Sequence, residues 1–233
     1  MRNVIVMNLY EKKVVKFGGS SLASAEQFKK SGAIVKAEAS RRFVVPSAPG
    51  KRFSDDTKVT NLLISCYKKS VGGENWEADF AEIQTRYNDI IKGLGLETDL
   101  SAEFAKIREN LEKGTTLDYT ASRGEYLNGI VFSDYLGYDF VDAAEVIFFD
   151  ENGRFDASKT NVVLSERLAS KKNAVVPGFY GSNPDGSVKT FSRGGSDVTG
   201  AIVSRAVNAD IYENWTDVSG FLMCAATIST SGI

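Results

Sequence analysis

The sequence contains no histidine, and this absence limits the chemistry that the chain can perform. Ser-His-Asp triads, histidine general bases and histidine-ligated zinc sites are all excluded. Cysteine is scarce as well, because only Cys66 and Cys224 occur and their separation matches no metal-binding or redox motif. Any catalysis must therefore use lysine, arginine, carboxylates, hydroxyls, backbone amides or a bound metal ion.

Long apolar runs and a strong excess of charge are also missing. No uninterrupted apolar segment reaches the roughly 18 residues that a membrane-spanning helix needs, and residues 1–10 lack the apolar core of a signal peptide. The net charge is −2 and no segment is rich in lysine and arginine, so we expect neither nucleic acid nor a membrane as a partner. Together with the isolated thiols, these features predict a cytoplasmic location.

The composition is that of a globular protein with a sizeable core, since 42% of the 233 residues are hydrophobic and 25% are charged. This length favours one large α/β domain over two small ones. Short β-branched runs alternate with helical patterns, which predicts a mostly parallel sheet with helices on both faces, a three-layer αβα sandwich. Two amphipathic segments, residues 76–92 and 101–113, are interpreted as a helical insertion on this sheet that carries no chemistry.

The hydrophobic patterns also predict the individual elements. Helices are predicted over residues 25–42, 59–71, 117–136 and 161–170, and from the glycines at 194–195 to residue 207. Strands are predicted at residues 43–45, 140–142, 146–149, 174–176 and 211–215, with a hairpin around residues 181–186. Residues 46–58 contain prolines, a glycine and several charges, so we predict an exposed loop of the kind that often carries binding groups.

The segment KVVKFGGSS, from Lys13 to Ser21, is a short strand that breaks into a glycine turn ahead of a helical pattern. Such a turn directs backbone N–H groups and the positive end of a dipole at one spot, which suits an anion such as phosphate. Lys16 lies beside that spot. Taken alone, the segment fits an inert strand-helix junction equally well, and it matches neither G-x-G-x-x-G nor the P-loop motif.

A second glycine turn, from Arg193 to Asp197, repeats this pattern. Ser196 or Asp197 would be a common choice for a helix N-cap in any protein, but capping does not require the preceding arginine, whose planar fork suits a carboxylate or phosphate. Ligands of parallel sheets bind at the carboxyl ends of the strands. The segments predicted at those ends are Gly18-Gly19, Ser47, Pro177-Gly178 and Thr216-Asp217.

Several of these segments occur together in one known family. The chain contains, in order, Lys16-Phe17-Gly18-Gly19-Ser20-Ser21, Ser122-Arg123-Gly124-Glu125, Pro177-Gly178-Phe179, Arg193-Gly194-Gly195-Ser196-Asp197-x-Thr199 and Trp215-Thr216-Asp217-Val218-x-Gly220. In order and register they resemble the aspartokinases of the amino acid kinase superfamily over about residues 13–223. The first and fourth motifs favour an aspartokinase over carbamate, acetylglutamate or uridylate kinases.

The resemblance implies transfer of the γ-phosphoryl group of ATP to the side-chain carboxylate of L-aspartate, giving 4-phospho-L-aspartate without a covalent enzyme intermediate. It places the chain at the first step of lysine, threonine and methionine biosynthesis. In-line phosphoryl transfer depends on positioning and charge neutralisation, so a site without histidine is adequate. The family also implies Mg²⁺ held mainly by the nucleotide and water, with no dedicated protein ligands, and a homo-oligomer, such as a dimer, for the full-length protein.

For the nucleotide, the resemblance implies Lys16, Gly18, Gly19, Ser20, Ser21, Thr216 and Asp217. Lys16 would neutralise the transferring phosphoryl group, and Asp197 joins it as the second implied catalytic residue. The two glycines would donate backbone N–H groups to phosphate oxygens. Ser20 and Ser21 would add hydroxyl groups.

For the amino acid, the resemblance implies Ser47, Thr60, Glu125, Arg193 and Ser196. Glu125 would pair with the substrate ammonium and Arg193 would bind its α-carboxylate. The residues alone favour a different interpretation of Glu125, as a solvated position on a helix.

The resemblance also suggests how the chain is divided. Residues 1–223 are interpreted as a catalytic domain that is incomplete at its C-terminal end, and residues 224–233 as a divergent tail without ACT regulatory domains. An arginine and a lysine that the family uses at the nucleotide are missing, so we expect weak ATP binding from these residues alone. The alternatives are an aspartate-binding fragment with weak catalysis and a related kinase with another carboxylate substrate.

Overall fold

A computed structural model of the chain describes residues 11–192 and 194–216. Within these residues the strands are β1 (Lys13–Phe17), β2 (Arg41–Pro46), β3 (Asp139–Phe140), β4 (Ala174–Val175), β5 (Tyr180–Ser182), β6 (Val188–Thr190) and β7 (Ile211–Trp215). The helices are α1 (Ala25–Lys36), α2 (Val59–Val71), α3 (Glu77–Leu94), α4 (Ser101–Lys113), α5 (Leu117–Leu136), α6 (Ala157–Ala169) and α7 (Gly195–Ala206).

The central sheet has five strands in the order β3-β4-β2-β1-β7. Every pairing within it is parallel, and Lys16 of β1 lies between Val45 of β2 and Asn214 of β7. Strands β5 and β6 form a separate antiparallel hairpin, as predicted. Because the strands of the large sheet run in one direction, the segments that follow β1, β2 and β7 leave it at the same edge.

Helices cover both faces of the large sheet, and side-chain alternation in β1 shows how. Val15 and Phe17 belong to an apolar core shared with helices α1 to α5, whereas Val14 belongs to a core on the other face shared with α6 and α7. Lys16 follows the alternation and faces the side of α7. The predicted three-layer sandwich is therefore confirmed.

The predicted helical insertion consists of α3 and α4, which pack on α2 and α5. Phe80 connects the two helices, because its ring makes edge-to-face contacts with Trp76 at 5.6 Å and Phe104 at 6.2 Å between centroids. Such aromatic pairs add to the stabilisation that burial of the rings provides.

Three predicted boundaries were wrong. The helix predicted over residues 25–42 ends at Lys36, because Arg41 already belongs to β2 and bonds the Ile34 carbonyl and Glu213. Residues 146–149 form only isolated bridges, with Phe148 bound to the Thr160 hydroxyl. Helix α6 begins earlier than predicted, since Asp156 caps it by accepting the Lys159 N–H at 2.9 Å.

No helix in the described part of the chain is both long enough and apolar enough to span a membrane.

Candidate active site

A cleft of about 490 Å³ opens at the edge of the sheet where β1, β2 and β7 end. It is lined by Gly18, Gly19, Ser20, Ser47, Ala48, Pro49, Gly50, Lys51, Lys58, Thr60, Glu125 and Thr216. Seven residues singled out from the sequence are thus brought together here, namely Gly18, Gly19, Ser20, Ser47, Thr60, Glu125 and Thr216. They come from the ends of three strands and from helices α2 and α5, which are distant in the chain.

The first glycine turn has a more restricted role than its sequence suggests. The Gly18 N–H donates to the Trp215 carbonyl at 3.0 Å, so the expectation that it donates to a phosphate is not met in this arrangement. Among residues 11–192 and 194–216, no backbone carbonyl accepts a hydrogen bond from the N–H groups of Gly19 and Ser20. They remain the backbone donors of this turn for an anion in the cleft.

Ser21 lies on the far side of the same turn. Its N–H donates to the Gly18 carbonyl at 3.1 Å and its carbonyl accepts the Ser31 hydroxyl at 2.7 Å. Ser21 lines a neighbouring cavity that shares Ser20 with the cleft, but it does not line the cleft itself.

Lys16 connects the two glycine turns. Its side chain is only 9% exposed, and its ammonium lies 2.9 Å from Oδ1 of Asp197 at the start of α7. Asn214 donates to the same Asp197 oxygen at 2.9 Å. The ammonium is also 3.8 Å from the point where a Cβ on Gly18 would lie, so it adjoins the glycine turn. Lys16 is therefore held beside the cleft by the Asp197 carboxylate, which the Asn214 amide in turn orients.

The Pro177-Gly178-Phe179 motif packs against the second glycine turn and the start of α7. A Cβ on Gly178 would lie 2.6 Å from the Ser196 hydroxyl oxygen, so this close approach requires glycine. Phe179 adopts φ of 81°, the left-handed region, and its N–H donates to the Thr199 hydroxyl at 3.1 Å. Ser196 packs on this motif and does not line the cleft.

Two other residues singled out from the sequence, Arg193 and Asp217, lie outside the described residues, as does the tail at residues 224–233.

Glu125 is the most unusual group in the cleft. It is 6% exposed, and its Oε2 has no hydrogen-bond partner among the described residues. Burial raises the pKa of its carboxyl to about 8, although a backbone hydrogen bond from Ala48 opposes the shift. The interpretation from the residues alone, that Glu125 is solvated, was wrong. A buried carboxyl with an unused oxygen in a cleft suits a cationic group of a ligand.

Three polar residues of the site were not found in the sequence. Asn128 is fully buried one helical turn after Glu125, and its amide nitrogen donates to the Ser47 carbonyl at 2.6 Å. Lys51 and Lys58 reach the cleft from the loop over residues 46–58. The i, i+3 spacing from Glu125 was the available signal for Asn128, and the charge of the loop was the signal for the lysines.

The loop over residues 46–58 is not exposed throughout, contrary to prediction. Asp56 is 5% exposed, because its carboxylate accepts hydrogen bonds from Arg52 and from Arg86 of α3. Two charged partners at 2.8 to 2.9 Å stabilise a carboxylate that sequence periodicity alone would place in solvent.

The described residues contain no group of three or more carboxylate or thiol side chains that would hold a metal ion. Asp197, the carboxylate nearest the glycine turns, already bonds Lys16 and Asn214.

A model described as the amino acid kinase family matches residues 11–230. The chain belongs to the amino acid kinase family. Among curated relatives, this kinase chain is 37% identical over 223 residues to aspartokinase 3 of Bacillus subtilis, a match that covers 88% of the chain and 48% of the relative. The resemblance to aspartokinases inferred from the sequence motifs is thereby confirmed.

Solved structures of aspartokinases share the fold of this amino acid kinase. The aspartate kinase of Clostridium acetobutylicum, an allosteric enzyme, is 52% identical with a TM-score of 0.88, covering 91% of this chain and 49% of that one. Aspartokinase III of Escherichia coli in complex with aspartate and ADP is 27% identical with a TM-score of 0.77, covering 90% and 50%. The chain thus spans about half the length of the relatives it matches.

Proposed function

We propose that this amino acid kinase domain transfers the γ-phosphoryl group of ATP to the β-carboxylate of L-aspartate, giving 4-phospho-L-aspartate, as an aspartokinase does. The observation that carries the proposal is a cleft lined by Glu125, whose buried Oε2 has no partner among the described residues, with the oriented ammonium of Lys16 beside the adjoining glycine turn. This charge pattern matches two substrates, an amino acid with a cationic amine and a nucleotide with an anionic phosphoryl group.

At the phosphoryl end, Lys16 neutralises the charge that moves between nucleotide and acceptor. Asp197 orients Lys16 from behind, at 2.9 Å, so the ammonium needs no reorganisation during transfer. The N–H groups of Gly19 and Ser20 add donors for phosphate oxygens. We assign Gly18, Ser21, Thr216 and Asp217 to the nucleotide as well, with Gly18 shaping the turn through its bond to Trp215.

At the amino acid end, Glu125 pairs with the substrate ammonium. Ser47 and Thr60 line the cleft beside it and contribute hydroxyl groups. We assign the α-carboxylate to Arg193, whose guanidinium offers a bidentate fork. Ser196, at the start of α7, supports this end of the site.

ATP brings Mg²⁺ bound to its phosphates, where the ion screens their negative charge. The chain itself supplies orientation: the cleft holds both substrates in line, and the buried groups limit access of water to the phosphoryl group. We further propose that the full-length protein works in the cytoplasm as a homo-oligomer, with aspartate and MgATP as its partners and neither nucleic acid nor membrane.

The proposal is tested by incubating the purified protein with MgATP and a panel of acidic amino acids, and trapping acyl phosphate as a hydroxamate. We expect product with L-aspartate only. Product with glutamate or N-acetylglutamate in place of aspartate would indicate a related kinase with another carboxylate substrate.

A second candidate is suggested by the lining of the cleft, which includes Glu125 but not Lys16. In this case the protein binds aspartate through Glu125 but turns it over slowly. Calorimetry that detects aspartate binding without nucleotide binding would favour this candidate.

A further inference from the structure

Helix α3 of the insertion contacts the back of the cleft through two consecutive residues. Arg86 is 1% exposed, and its guanidinium donates to the Gly50 carbonyl at 3.0 Å, to both carboxylate oxygens of Asp56 at 2.8 and 2.9 Å, and to the Thr57 carbonyl at 3.0 Å. All of these acceptors belong to the loop that forms one wall of the cleft. The planar guanidinium of Arg86 thus bonds several acceptors of one folded loop at once. The ammonium of a lysine cannot reproduce this set of hydrogen bonds.

Gly50 passes this constraint to the glycine turn. Its N–H donates to the Gly19 carbonyl at 2.8 Å, and a Cβ on Gly50 would lie 2.6 Å from the Gly19 carbonyl carbon. No side chain fits between the two backbones. A displacement of Gly50 therefore displaces Gly19, which lines the cleft.

Tyr87 constrains the opposite wall in a similar way. It is fully buried, and its hydroxyl donates to the Gly124 carbonyl at 2.6 Å. Gly124 immediately precedes Glu125, and a Cβ on it would lie 2.8 Å from the Cβ of Ala48. Burial raises the pKa of Tyr87 well above its ordinary value, so the hydroxyl remains a donor at neutral pH.

The ion pair between Arg86 and Asp56 is not explained by stability alone. A buried pair of charges often contributes little net stability relative to apolar residues of the same size, so it needs another reason to be there. Here Asp56 already has a charged partner in Arg52, at 2.8 Å. Half of the hydrogen bonds that the Arg86 guanidinium donates go to backbone carbonyls of the cleft loop. This distribution points to positioning of that loop.

We propose that Arg86 and Tyr87 are positioning residues: Arg86 sets the glycine turn through Gly50, and Tyr87 sets Glu125 through Gly124. The insertion, which the sequence assigns no chemistry, is then the element that fixes the two ends of the cleft relative to each other. The kinetic consequences rest on the proposed aspartokinase function, whereas the structural consequence for the loop does not.

The kinetic test compares Arg86→Lys with Tyr87→Phe. Lysine keeps the charge but cannot reach all the acceptors of the fork, so we expect kcat to fall about tenfold or more, with less than about a threefold change in KM for aspartate. Tyr87→Phe removes one hydrogen bond behind Glu125, so KM for aspartate should rise about three- to tenfold with kcat nearly unchanged. Identical effects of both variants on kcat and KM would overturn the proposal.

Arg108→Lys is the matched control. Arg108 of α4 bonds Glu77 at the start of α3 and does not line the cleft, so its replacement perturbs the same helix without removing a contact to the loop. Parent-like kinetics are expected. If Arg108→Lys reproduced the loss seen with Arg86→Lys, general loosening of the insertion would replace positioning as the explanation.

Hydrogen exchange provides a readout that needs no activity. In Arg86→Lys, amides of residues 47–58 should exchange about tenfold faster than in the parent, while those of α4 and the central sheet stay unchanged. If the parent shows no aspartokinase activity but the loop responds in this way, the proposed function fails and the positioning role stands. Unchanged amide exchange in the loop, or equally faster exchange throughout the protein, would overturn the positioning role. Should Arg86→Lys not fold, Asp56→Asn, which keeps the side-chain size, serves for the same measurement.

Discussion

Glu125 lines the cleft and Lys16 lies beside it, and the two residues are buried to a similar extent but differ in their partners. Measured over the whole residue, Lys16 is 7% exposed and Glu125 is 6% exposed. Lys16 has an ion-pair partner in Asp197, whereas one oxygen of Glu125 has no partner among the described residues. A paired ammonium is charged and oriented before any ligand arrives. An unpartnered carboxyl is held neutral by its surroundings until a cation approaches.

The difference shows how one cleft can treat two parts of a reaction separately. In the proposed reaction, the ammonium of Lys16 is oriented in advance, which would favour the transition state because no rearrangement is needed there. Binding of the proposed amino acid would create the charge pair with Glu125, so recognition of its ammonium would be coupled to loss of a proton from Glu125. The predictions below would break or sharpen this contrast, and they run from the largest expected effect to the smallest.

Replacing Lys16 with alanine should lower kcat by a factor of about 100 to 1,000, because a preorganised electrostatic group is lost where charge develops. Steady-state kinetics of the hydroxamate assay measure the effect. The control is Lys12→Ala, since the Lys12 ammonium donates to the Val207 carbonyl and does not line the cleft. Parent-like kcat in the Lys16 variant would remove this residue from the reaction.

Glu125→Gln should weaken aspartate binding about 10- to 100-fold, because the substrate ammonium loses a charged partner in a buried site. Calorimetry at pH 7 in buffers of different ionisation enthalpy should show protons released on aspartate binding to the parent and none with the variant, since the pKa of Glu125 in the free protein is about 8. Equal affinity for both proteins would assign the ammonium to another residue.

Asp197→Asn should reduce kcat about tenfold, a smaller loss than removal of Lys16 itself. The amide still accepts a hydrogen bond from the ammonium, but it no longer balances its charge, so Lys16 is less firmly oriented. KM for aspartate should change little. A loss as large as that of Lys16→Ala would show that the carboxylate takes part in the chemistry directly.

The effect on activity is smallest for the last prediction, which concerns stability and pH. The folded chain keeps a proton on Glu125 up to pH about 8, whereas the unfolded chain loses it near the ordinary value of 4.5. The folded state therefore binds more protons in this window, and the free energy of unfolding should decrease as pH rises through it. Glu125→Gln should not show that decrease, because glutamine does not titrate. In urea unfolding, the free energy of unfolding of the variant relative to the parent should therefore be higher at pH 8 than at pH 5. An identical pH trend for both proteins would contradict the raised pKa.

Much of the fold could be predicted because local signals coincided with the elements. Helices α2, α4 and α5 have the predicted bounds, and each is followed by a glycine at residue 72, 114 or 137. The segment at residues 146–149 had strand-like composition, but its partners are set by the tertiary structure, and only bridges form. Short apolar runs do not specify their neighbours, so such errors are expected there.

The candidate site was predictable to the extent that its residues lie in motifs. Glycine turns and the ends of parallel strands are visible in a sequence, and they led to the residues that line the cleft. Arg86 and Asp56 could not be found in this way, because each looks like an ordinary solvated charge and their contact joins positions 30 residues apart. The polar groups that support a site from behind have no local signature.

Alternation along β1 has one last consequence. Lys16 faces α7, while Val15 and Phe17 on either side of it enter the opposite apolar core. A shift of this strand by a single residue would exchange the ammonium for the phenyl ring and bury an unpaired charge among hydrocarbons. Such a shift would therefore disrupt the core and displace the ammonium that we propose for the reaction, so the packing of the interior also fixes the position of Lys16.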